Sequence, residues 1–152
     1  MRTTACLVII GLLLSGCAKS QRKQDVLFPD WKPSLDQPIW QLEETLAKLE
    51  QQQPMNYTIS NVARLYDAKL YMLFHDFLAS LPESERASQI AEQNQWLRQR
   101  ETQVHDASKE HEGGTLAPYT AGNAKISATK KRIEEIERRM NGASKKELKA
   151  TR

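Results

Sequence analysis

Cysteine is all but missing from this chain. Its 152 residues contain two, Cys6 and Cys17, so a domain built from the residues beyond position 17 has no disulfide available to it. Aromatics are sparse at 7%. No segment alternates apolar and polar residues with period two, which removes the signal for half-buried strands. The apolar run Ala5–Leu14 falls well short of the roughly 20 residues that a bilayer-spanning helix needs. Charge of one sign is not in excess: 22 Lys and Arg face 19 Asp and Glu, which does not suggest a nucleic-acid binder. Catalytic signatures are missing too, with no H-E-x-x-H, no G-x-S-x-G and no glycine-rich phosphate loop. His75, His105 and His111 lack compact metal-ligand spacing, so no enzyme, metal or other cofactor is expected. What is present, 39% hydrophobic and 27% charged residues, suits one small domain with extra segments rather than a multidomain enzyme.

The N-terminus carries an address. Met1–Thr4 is a short polar start with one positive charge, and the apolar run after it reads as a secretory signal,. Leu14-Ser15-Gly16-Cys17 resembles the lipobox of bacterial lipoproteins. That resemblance implies diacylglycerol on the Cys17 thiol, cleavage between Gly16 and Cys17, and membrane attachment through acyl chains. Several chains, at about 0.8 kcal/mol per buried methylene, anchor durably where one is marginal. In a Gram-negative cell the sorting rule turns on the next residue. Ala18 is not the aspartate of inner-membrane retention, so the outer membrane facing the periplasm is the expected location.

Beyond this signal peptide (1–16), residues 17–35 mix charge, prolines and scattered large apolars without a period and read as a flexible tether. A first helix is expected from Asp36 to about Gln53, with Ile39, Leu42, Leu46 and Leu49 as its seam and Pro54 as its end. A second, Thr58 to Ser80, carries Ile59, Val62, Tyr66, Leu70, Leu73 and Phe77 at spacings of three and four. Ser80-Leu81-Pro82-Glu83 has the form of a capping box for a third helix reaching Lys109, whose thin core face would be Ala87, Ile90, Leu97 and Val104. A fourth, Gly122 to Met140, carries Ile126, Thr129, Ile133, Ile136 and Met140 and stops at Asn141-Gly142. The expected fold is all-α, a small antiparallel bundle of three to four helices over 36–142, followed by a basic tail, 143–152. From Lys125 onward ten basic residues face four acidic ones, which reads as a solvated helix face with a frayed basic tail or, more sharply, as attraction to anionic lipid, lipopolysaccharide or wall polymer.

Across residues 57–140 the order of features resembles the lysozyme inhibitor LprI-like family. The match starts with Asp67 and Leu70, followed by Phe74 one turn on. Leu78–Pro82 corresponds to the family's interhelical connection. Its most distinctive stretch, Q-x-x-W then arginine and an acid, falls on Gln93, Trp96, Arg100 and Glu101. The pair Gly113-Gly114 with Thr115, and Thr129 with Arg132 and Ile136, complete it. The resemblance implies a helical domain that binds a protein partner, a lysozyme-type muramidase. Where the family usually has cysteines, this chain has Val104 and Gly122, so a whole bridge is missing, and Tyr71 replaces a usual asparagine.

Gln93, Trp96 and Arg100 share one stripe of the third helix. A structural role places Trp96 in the core, with Arg100 reaching Asp67 or Glu101 and the backbone at the glycine turn. A docking role uses the same stripe as an interface, because Trp and Arg are favoured anchors. An inhibitor of a strongly cationic hydrolase gains on-rate from exposed acids. Glu101, Asp106, Glu110 and Glu112, with Thr115 and Tyr119 as hydrogen-bonding groups, form the candidate partner surface. The competing reading is a structural or adaptor lipoprotein that offers Ile126, Ile133, Ile136 and Met140 to a helical partner, or the basic tail to the cell wall.

Overall fold

The computed structural model describes residues 33–150, and for 143–150 the backbone alone. It contains helices α1 (Asp36–Leu46), α2 (Gln52–Ser80), α3 (Glu83–Ser108) and α4 (Ala117–Ala150), with a 3-10 turn at Lys109–His111, and no strand among the described residues. The expected all-α fold is what forms. Sequential neighbours run antiparallel: Asp36 and Glu43 of α1 meet Lys69 and Tyr66 of α2, and Gln89 and Gln93 of α3 meet Arg139 and Arg132 of α4. As in any up-down-up arrangement, α2 and α4 then run parallel, with Ile59 against Gly122 and Tyr66 beside Lys130.

The core lies between α2 and α4, closed on one side by α1. Ile39, Ile59, Val62, Tyr66, Leu70, Phe77, Ile126, Ile133 and Ile136 are buried in one cluster, with Leu42, Leu46, Leu73 and Met140 packed on it. These are the seams that the three-and-four spacing marks. Gly122 is required by the close approach of the two long helices, since a Cβ there would sit 2.9 Å from Cγ1 of the fully buried Ile59.

Several expected boundaries move. Pro54 does not end a helix; it lies in the first turn of α2, where its missing N–H costs nothing,. The chain leaves α1 at Leu46 through tight turns, Lys48 N–H to Thr45 O and Leu49 N–H to Leu46 O. Ser80 caps nothing, because its hydroxyl donates back to the Phe77 carbonyl at 2.7 Å. The cap residue of α3 is Pro82, with Glu83 and Glu85 in the first turn where their charge complements the helix dipole. α4 begins at Ala117, taking Pro118 into its first turn, and runs through Asn141-Gly142. Glycine ends a helix by turning left-handed, and the positive φ among the described glycines belongs to Gly113, not Gly142.

The largest revision concerns α3. Its inward residues are Gln93 and Arg100, while Ala87 is exposed and Ile90 is 44% exposed. Leu97 and Val104 are half-buried. The expected apolar face is thus turned off the core, and α3 is held by polar chemistry.

Candidate partner-binding site

The family-motif residues assemble as an interior network between α2, α3 and α4. The Arg100 side chain, 6% exposed, donates through Nη1 to Asp67 Oδ1 at 2.5 Å and Thr129 Oγ1 at 3.0 Å, and through Nη2 to Glu101 at 3.1 Å. The Thr129 hydroxyl in turn donates a hydrogen bond to the Lys125 carbonyl at 2.8 Å. The Lys125 ammonium meets the second Asp67 oxygen at 2.8 Å, so Asp67 clamps α2 to α3 and α4 together. Two turns along, Arg132 Nε donates to Gln93 at 2.9 Å, with Glu135 and Glu92 on its Nη atoms. Trp96 is half-buried rather than central, with the guanidinium carbons of Arg100 and Arg132 at 5.1 and 5.7 Å from its ring centroid. Its π face therefore receives two cations.

This geometry divides the two roles weighed for the stripe. Gln93 and Arg100 are buried and engaged by contacts within the chain, which is the structural role for these two; the acids Asp67 and Glu101 both receive Arg100, while the glycine turn does not. Leu70 is in the core and Phe74 packs on it.

Toward the outer end of α3 the chemistry changes. Asp106, Glu110, Glu112, Gly113, Gly114, Thr115 and Leu116 are all exposed. Among the described residues, Asp106, Glu110 and Glu112 have no ion-pair partner, whereas Glu101 is tied to Arg100. Tyr119 is half-buried, with its ring packed against the core. The loop has a fixed course: Gly114 N–H bonds the His111 carbonyl at 2.9 Å, Gly113 takes φ 76°, and Asn56 Nδ2 of α2 donates to the Thr115 carbonyl at 2.7 Å. Adjacent to the bonded pair stand Tyr57, 71% exposed, and Leu116, 37% exposed. Neither was singled out in the sequence. Tyr57 lies off the α2 seam, so its exposure was legible; nothing in the sequence pointed to the Asn56–Thr115 bond.

On the opposite side, Tyr66 donates to Glu43 at 3.0 Å and Lys130 reaches the same carboxylate at 2.7 Å. Burial raises the Tyr66 phenol above its usual range. For Lys130 burial works against the charge, but the Glu43 hydrogen bond prevails and its ammonium is also raised. At the α3–α4 seam, the Arg139 hydrogen bond holds Glu92 below the usual carboxylate range, against burial and with help from Arg132. No group of His, Cys, Asp and Glu among the described residues is placed to hold a metal ion. No described helix is long and apolar enough to cross a membrane.

Among the described residues, the buried Arg100 and Arg132 tie the helices together, and a polar, solvent-facing loop stands at one end of this small helical bundle. The family model for the lysozyme inhibitor LprI matches residues 44–136, more than half of the chain, and the chain belongs to that family. The match runs from α1 to Ile136 of α4, so it takes in Asp67, Gln93, Arg100, Thr129 and Arg132 together with the loop. Neither the curated proteins nor the solved structures yield a significant match.

Proposed function

We propose that this chain is a lipid-anchored envelope protein that inhibits a lysozyme-type muramidase by binding it. The observation that carries the reading is membership of the LprI family over residues 44–136. The geometry supports it further: Asp106, Glu110 and Glu112 stand exposed and unpaired beside a fixed loop, the arrangement that speeds encounter with a cationic partner,. Cys17 after Leu14-Ser15-Gly16 is the proposed anchor, placing the domain at the periplasmic face of the outer membrane in a Gram-negative cell. It lies outside the described residues.

The adaptor reading loses its helical half, because Ile126, Ile133 and Ile136 are buried in the core and Met140 packs on it. Of the ten basic residues from Lys125 onward, Lys125, Lys130, Arg132 and Arg139 pair with acids of the bundle, and a contact of the basic tail, 143–152, with anionic lipid or wall polymer concerns side chains outside the described ones.

The test is lysis of a muramidase-sensitive cell suspension by lysozyme while the protein lacking its lipid (residues 18–152) is titrated in. Stoichiometric inhibition at about micromolar concentration or below is expected, an affinity near −8 kcal/mol. No inhibition at large excess, by protein shown to be helical by circular dichroism, would overturn the reading. Anchoring is tested separately: Cys17→Ser is expected to abolish incorporation of labelled palmitate, and label persisting on that variant contradicts the assignment.

A further inference from the structure

Among the described residues most large hydrophobic side chains are spent on the core, and the exposed ones are Trp40, Tyr57, Tyr71, Ile90 and Leu116. Two of these five lie at the same end of the bundle, where α2 meets the loop before α4. The Asn56 Nδ2 bond to the Thr115 carbonyl at 2.7 Å joins α2 to the loop before α4, and Tyr57 and Leu116 are the next residues after the bonded pair. We propose that Tyr57 and Leu116 are the apolar anchor of a docking surface for a cationic protein, with Glu110 and Glu112 as its charged rim.

The argument rests on how interfaces divide their energy. A few aromatic or aliphatic side chains at the centre carry most of the affinity, while charges at the rim set the on-rate and the choice of partner. Tyr57 is 71% exposed and lies on the first turns of α2, off the seam that packs the core. A tyrosine offers a large contact area at low entropy cost, with a hydroxyl for a wet edge. Leu116 adds an aliphatic surface. Between residues 101 and 116, with Glu101 held by Arg100, the carboxylates of Asp106, Glu110 and Glu112 face one lysine, and the two nearest the glycine turn, Glu110 and Glu112, are exposed and unpaired among the described residues. That charge balance selects a basic protein surface rather than an anionic lipid or a polyanion. The held course of the loop lowers the ordering cost of binding.

This surface deepens the inhibitor reading and rests on it, so the experiment keeps the two apart. The full chain, purified in mild detergent, is titrated against a c-type lysozyme by calorimetry, beside its Tyr57→Ala, Leu116→Ala, Glu110→Gln/Glu112→Gln and Tyr71→Ala variants, each checked by thermal melting. Tyr71, 74% exposed, lies well along α2 and serves as an exposed-aromatic control. Expected results are a Kd weakened about tenfold or more for Tyr57→Ala and Leu116→Ala and about twofold or less for Tyr71→Ala. The double Gln variant should slow association and flatten its dependence on salt. If the parent chain binds and both alanine variants bind equally well, the proposed anchor is wrong and the inhibitor reading stands. A folded parent chain that does not bind lysozyme overturns both.

Discussion

Arg100 shows what a buried charge asks of its neighbours. Three of its acceptors come from three helices, Asp67 on α2, Glu101 on α3 itself and Thr129 on α4, and its Nε, buried without a hydrogen-bond partner, sits on the side chain that stacks over Trp96. Replacing one member of a buried ion pair is costly chiefly because the other is stranded. Here Asp67 keeps Lys125 at 2.8 Å and is a third exposed, so Arg100→Met should destabilise by about 2–3 kcal/mol, below the usual range for a fully buried pair. Urea unfolding measures this. Arg100→Lys should recover little of the loss, because a point ammonium cannot serve three separated acceptors as a planar fork does. A lysine variant as stable as the parent would mean that charge alone, not geometry, is what α3 needs.

At the scale of elements, what could be read from the sequence follows from the kind of force that holds each helix. α2 and α4 are held by hydrocarbon, and their spacing shows it: Ile59, Val62, Tyr66 and Leu70, then Ile126, Ile133 and Ile136, mark the buried faces directly. α3 is held by hydrogen bonds and ion pairs, so apolar periodicity pointed to Ile90 and Leu97 and turned the helix the wrong way. The motif stripe Gln93–Trp96–Arg100 was visible, and so were the acids that Arg100 reaches. The acids beside the glycine turn are legible too, whereas the hold of Asn56 on a loop carbonyl 59 residues away is not, because no local pattern marks it. Helix boundaries shift where proline and glycine read as stops: Pro54 and Pro118 lie in the first turns of helices, and Gly142 lies within one. Gly122 is the glycine whose identity the packing demands. Gly122→Ala gains helix propensity of about 1 kcal/mol but drives a methyl against Ile59, a strain of about 1–3 kcal/mol, and a net loss of stability is expected. Thermal melting of that variant against Gly142→Ala, where nothing lies within 4 Å, separates the terms; the second should melt no lower than the parent.

For the molecule as a whole, the ionised contacts set a pH window. Asp36 is held low by its Lys69 and Ser34 hydrogen bonds and Glu92 by Arg139. Burial works against Glu135, yet Arg132 and Arg139 still bring it down. A carboxylate whose folded pKa is depressed contributes stability above its unfolded value, about 3.9 for Asp and 4.3 for Glu, and that contribution is lost as pH falls through the folded value. Lys130 and Tyr66, both raised, contribute below about pH 10 and lose it as pH rises further. Stability should therefore be level from about pH 5 to 9 and fall on either side. Urea midpoints across this range check it, and Glu92→Gln should weaken the acid limb. A midpoint unchanged between pH 7 and 3 would contradict the assignment.

The two long interfaces of this bundle also belong to different thermodynamic regimes. Separating α2 from α4 wets hydrocarbon, which raises the heat capacity and makes that contact weaken on cooling. Separating α3 from α4 wets mostly guanidinium, carboxylate and amide, for which the heat-capacity change is small or of opposite sign. As temperature falls the hydrocarbon half of the molecule loosens relative to the polar half, so the helix that opens most readily in the warm need not be the one that opens most readily in the cold.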